Sequence, residues 1–64
     1  MKERAKMYRY YVSVIYLNLE KDEIEFDYIE TLAKSGVEAS KNATDYMNRF
    51  PYVSHLKVEE ISRM

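Results

Sequence analysis

The stretch RYYVSVIYL, Arg9 to Leu17, restricts the possible folds more than any other part of the chain. Val, Ile and Tyr dominate it, and these residues suit a pleated, half-buried strand. Side chains along a strand alternate between two faces. One set is Tyr10, Val12, Val14 and Tyr16, and the other is Tyr11, Ser13, Ile15 and Leu17. Both sets are mostly apolar, so this strand needs cover on both sides. A central place in a sheet, with a helix over one face, meets half of that need.

The rest of the chain supplies the neighbours. The first strand is predicted from Tyr8 to Leu19, and the polar run Glu20-Lys21-Asp22-Glu23 reads as a turn. A second strand is predicted from Ile24 to Ala33. The expected register sets Leu19 opposite Ile24, Leu17 opposite Phe26, Ile15 opposite Tyr28 and Tyr11 opposite Leu32. A slip of one residue would place Leu19 beside Glu25 and Leu17 beside Asp27, which disfavours it. Ser35 followed by Glu38 is a capping box and opens a helix. Ala39, Ala43, Tyr46, Met47 and Phe50 then fall at helical spacing on one side. Pro51 stops the helix, since the residue before a proline avoids helical angles. The helix is predicted from about Gly36 to Arg49, and a third strand from Tyr52 to Ile61.

Strand, strand, helix, strand, with a right-handed crossover, gives a three-stranded antiparallel sheet of order 2-1-3. The fold class is therefore α+β, a ββαβ layout with one helix on one face. The outer strands point to the covered face. Ile24, Phe26, Tyr28 and Leu32, with Leu56 and Val58, line up with Tyr11, Ile15, Leu17 and Leu19. The helix is expected on that side. The opposite face then stays bare, carrying Tyr8, Tyr10, Val12, Val14, Tyr16, Ile29, Thr31 and the edge residues His55 and Lys57. These nine are the expected partner-binding residues, because an uncovered apolar patch rimmed by tyrosines usually marks an interface.

With 64 residues the chain is one domain, and residues 1–7 read as a loose basic arm. A domain this small buries only ~60 % of the surface its unfolded chain exposes, so small scaffolds usually need a staple. There is no Cys and one His, so neither a disulfide nor a thiolate or His-cluster metal site is expected, and no cofactor. Self-association remains, and a homodimer is the first expectation, with a foreign protein partner on the same face or a sheet edge as the second. Neither a signal peptide nor a membrane-spanning run is visible, which predicts a cytoplasmic protein without a membrane partner.

Single-stranded nucleic acid is the less favoured alternative. Tyr8, Tyr10 and Tyr16 would stack bases, and Lys2, Arg4, Lys6 and Arg9 would hold phosphates. Ten basic against eleven acidic residues leave a net charge of −1, which offers a polyanion little. Catalysis is not expected. Ser54 and His55 are strand neighbours that should point to opposite faces, so they make no nucleophile–base pair.

The pattern Y-x-V-x-V … S-G-V-E-A … P-Y-V … L-K-V-E-E-I resembles small ββαβ reading frames of bacterial phages and mobile elements. That resemblance implies a small non-catalytic binder, a class that includes anti-CRISPR inhibitors of host defence complexes. It carries over no functional residue.

Overall fold

The structure is a computed structural model and describes residues 6–64. Its elements are β1 (Tyr8–Asn18), β2 (Glu23–Ala33), α1 (Gly36–Met47) and β3 (Val53–Arg63). The sheet has the order β2-β1-β3, with β1 antiparallel to both neighbours. This is the expected α+β, ββαβ architecture. Of the basic arm, Lys2 and Arg4 lie outside the described residues, while Lys6 and Met7 lead exposed into β1.

The hairpin register is shifted by two residues from the expected one. Leu17 lies opposite Ile24, Ile15 opposite Phe26, Ser13 opposite Tyr28 and Tyr11 opposite Glu30. An even shift leaves every side chain on its own face. Asn18 causes it. Its Oδ1 accepts from the N–H of Glu20 at 2.9 Å and of Lys21 at 3.2 Å, and its carbonyl accepts from the N–H of Asp22 at 2.7 Å. Leu19 is thereby drawn into the loop, which Asp22 leaves in the left-handed region at φ 57°. Asn and Asp favour such turns because their short side chains bond the nearby backbone and tolerate that region.

The N–H of Leu19 donates to the carbonyl of Tyr52, and that of Met64 to the carbonyl of Arg9. Odd-numbered residues of β1 therefore aim their backbone groups at β3 and even-numbered ones at β2. By the same alternation, Ile24, Phe26, Tyr28 and Glu30 on β2 aim theirs out of the sheet.

The helix covers the face opposite to the one expected. The core is Tyr10, Val12, Val14 and Tyr16 of β1, Ala33 of β2, and Ala39, Ala43 and Met47 of α1, with Ile29, Val53, Leu56 and Val58 packed against it. Val12 and Val14 are 0 % exposed. β2 and β3 run parallel to each other, so β2–α1–β3 is a crossover over β1. Such crossovers are right-handed in nearly all proteins. Chain sense and strand order thus set the side on which the helix lies, and the pleat sets which residues it meets. The apolar residues of the outer strands have no vote. Ala39 and Ala43 let the helix come close to the two valines.

The helix opens as its sequence predicts. Ser35 Oγ accepts from the N–H of Glu38 at 3.3 Å, and Glu38 Oε1 reaches back to the N–H of Lys34 at 2.7 Å, one residue beyond the usual capping-box target. It ends at Met47, two residues early, with the N–H of Asn48 donating to the Thr44 carbonyl at 2.9 Å. Phe50 leaves the helix stripe and packs edge-to-face with Tyr46 and tilted against Tyr52, at centroid distances of 5.4 and 5.5 Å.

Candidate protein-binding face

The side of the sheet away from α1 is built from alternate residues of three strands. β1 supplies Tyr11, Ser13, Ile15 and Leu17, and β2 supplies Ile24, Phe26, Tyr28, Glu30 and Leu32. Leu19 extends this row from the loop. Six of these side chains, Tyr11, Leu19, Ile24, Phe26, Tyr28 and Leu32, are large, apolar and between 40 and 78 % exposed. Ile15 and Leu17 lie half-buried beneath them. β3 answers with polar residues: Ser62 opposite Tyr11, Glu60 opposite Ser13, Lys57 opposite Ile15 and Ser54 opposite Leu17. The face is thus apolar along β1 and β2, with a polar margin along β3.

Its charges balance. Arg9 Nε and Glu30 Oε2 pair at 3.0 Å at one end. Lys57 and Glu60 sit on the margin, with no ion pair among the described residues. Two register shifts in the β1–β3 pairing, between Ser13 and Val14 and between Ile15 and Leu17, keep Leu56 and Val58 on the helix side while Lys57 and Glu60 face the other way.

The structure does not place the expected partner-binding set on this face. Tyr10, Val12, Val14 and Tyr16 are buried under the helix. Ile29 and Thr31 are half-buried on the helix side, where Asn42 Nδ2 donates to Thr31 Oγ1 at 3.2 Å. Tyr8 lies beneath the guanidinium of Arg63, 4.3 Å from its ring centroid. Of the nine, Lys57 belongs to the bare face, and exposed His55 stands beside Ser54 at its margin. Base stacking by Tyr10 and Tyr16 is ruled out by the same burial. The one cue to the true arrangement is size: a stripe of Ala39, Ala43 and Met47 matches two valines better than a row of Leu, Ile, Phe and Tyr.

Where the helix stops short, polar chemistry closes the covered side. Tyr16 Oη shares its one proton between Asp27 Oδ2 at 3.0 Å and Glu25 Oε1 at 3.2 Å. Burial pushes the Tyr16 phenol well above its ordinary range, and the carboxylates of Asp27 and Glu25 add to the rise. Glu25 is held below the usual carboxylate range, first by the amide of Asn18 at 3.1 Å and then by Lys21 Nζ at 3.1 Å.

Ser54 Oγ and His55 Nδ1 meet at 2.8 Å, contrary to strand alternation. His55 stands at φ 54° beside the second register shift, and this left-handed backbone turns neighbouring side chains together. The pair lies at the surface, away from the cleft of about 480 Å³ that Tyr28, Ile29, Glu30, Thr31, Asn42 and Tyr46 line along the outer edge of β2. Among the described residues no helix is long and apolar enough to cross a membrane. In comparisons with known protein families, curated proteins and solved structures, the chain matches none of them.

Proposed function

We propose that the protein is a non-catalytic association module that presses the bare face of its sheet against a second protein surface, in the first place that of another copy. The observation that carries this reading is the row of six large apolar side chains on the side that α1 leaves uncovered. Exposed apolar patches of this extent, edged by polar residues, mark interaction sites. Phe26, Tyr28 and Tyr11 also bring the aromatic content in which interface centres are enriched.

Two substitutions test it. Phe26→Asp removes an anchor of the bare face and touches no core residue. Its circular dichroism should stay that of a folded chain and its melting midpoint should fall only to that of the dissociated parent, while its mass by light scattering falls to the monomer value of 7.7 kDa. Val14→Asp should do the reverse and unfold the chain. A parent already monomeric at millimolar concentration, and binding no protein, would defeat the proposal.

A second reading is favoured by the cleft along β2. The outward backbone groups of Phe26, Tyr28 and Glu30 can pair with an added strand, whose side chains would enter the space beside Tyr46 and Asn42. Tyr46→Arg would obstruct that route and spare association through the bare face.

A further inference from the structure

We infer that the bare face is occupied by a second copy of this chain, related by a two-fold axis that crosses the strands at the level of Val14, so that Lys57 of each copy meets Glu60 of the other. The inference rests on the association reading and gives it a geometry. Two facing sheets related by a two-fold can have the axis along the strands or across them. The charges of the face choose between these. Lys57 lies level with Ile15 and Glu60 level with Ser13, one step on either side of Val14. An axis across the strands at that level exchanges the two positions. Lys57 then stands over the partner's Glu60, and Glu60 over the partner's Lys57. An axis along the strands keeps each residue at its own level and brings neither pair together.

The same operation suits the apolar part. Phe26 and Tyr28 exchange positions, so each ring faces the other residue's ring across the centre. Tyr11 faces the partner's Leu17, and Ile15 faces the partner's Ser13. Arg9 and Glu30 lie toward the two ends, where the operation sets Glu30 over the partner's Ile24 and Arg9 over the partner's Leu19. The area is adequate. At exposures of 40, 68 and 78 %, Tyr11, Phe26 and Tyr28 alone offer on the order of 400 Å² if a fully open ring presents ~200 Å². Leu19, Ile24 and Leu32 bring the total close to the ~800 Å² per partner of a standard interface. Charge balance also favours a second copy over a polyanion, because Arg9 and Lys57 are each matched by a carboxylate on the same face.

Exposed ion pairs set register more than affinity, so the test reads a pattern across variants. Dissociation constants are measured by sedimentation equilibrium for the parent, Lys57→Glu, Glu60→Lys and an equimolar mixture of the two variants. Each variant alone places like charges together twice and should dissociate about tenfold more readily, a loss in keeping with two weak pairs turned repulsive. The mixture should recover the parent's affinity within about threefold, because a heterodimer restores both attractive pairs. Rescue by mixing cannot come from a contact within one chain. If the parent dimerises and Phe26→Asp dissociates it, but the charge variants and their mixture match the parent, the axis is wrong and the association reading stands. If the parent is monomeric at every concentration, this inference falls, and the association reading falls with it unless a different protein binds the bare face.

Discussion

Val14 and Phe26 sit on adjacent strands within one small sheet, yet the fold assigns them opposite duties. An aspartate at Val14 would be a buried charge with no partner, a change that costs about 3–5 kcal/mol when left uncompensated. That is most of what a small domain has, so Val14→Asp should give an unfolded spectrum at 25 °C. Tyr16 and Glu25 give the stability a predictable pH dependence. The folded phenol stays protonated above the ordinary value of 10.0, whereas an unfolded-chain phenol ionises there. Stability is therefore fully present below pH 10 and is lost as pH rises above it, and Tyr16→Phe should lessen that loss in urea titrations. Glu25 acts at the other limb. Its lowered value means that its contribution is present above the ordinary 4.5 and lost as pH falls below it, and Glu25→Gln should flatten that limb.

The hairpin and the helix show how differently local elements declare themselves. The Ser35 cap is written in the sequence, and Ser35→Ala should cost ~1 kcal/mol in urea unfolding without altering association. Asn18 is less conspicuous and holds more. Asn18→Ala removes bonds to Glu20, Lys21 and Glu25, and the loop amides from Leu19 to Asp22 should lose protection from hydrogen exchange. Strand positions, element order and helix start were legible because alternation, capping and proline each leave a local mark. The two-residue register shift was not, because any even-numbered loop keeps Ile15 and Phe26 on one face. It took the side-chain hydrogen bonds of Asn18 to choose. The covered face was not legible either, since both alternation sets of β1 are apolar. Crossover handedness and pleat decide it, and the small size of Ala39 and Ala43 against Val12 and Val14 is the one trace they leave in residue type. His55 was misread for a related reason: a positive φ in a bulge overrides alternation.

A chain of this length packed as a compact domain would have a radius of gyration near ~11 Å, whereas the observed value is 13.5 Å, with extents of 52 × 20 × 13 Å. The described residues form a slab, one layer of helix on one layer of sheet. If another copy covers the bare face, stability depends on protein concentration. The melting midpoint should rise as the concentration is raised a hundredfold, and for Phe26→Asp it should stay constant. One-sided cover has a further geometric result. Sheets stack ~10 Å apart, so in such a pair the two helices point in opposite directions, on the order of 30 Å apart. The assembly is then a double-headed display, with Val37, Lys41 and Asp45 presented once at each pole. A ligand that recognises this helix surface would be met twice and could be bridged to its like, so the valency of the assembly follows from where a twelve-residue helix happens to lie.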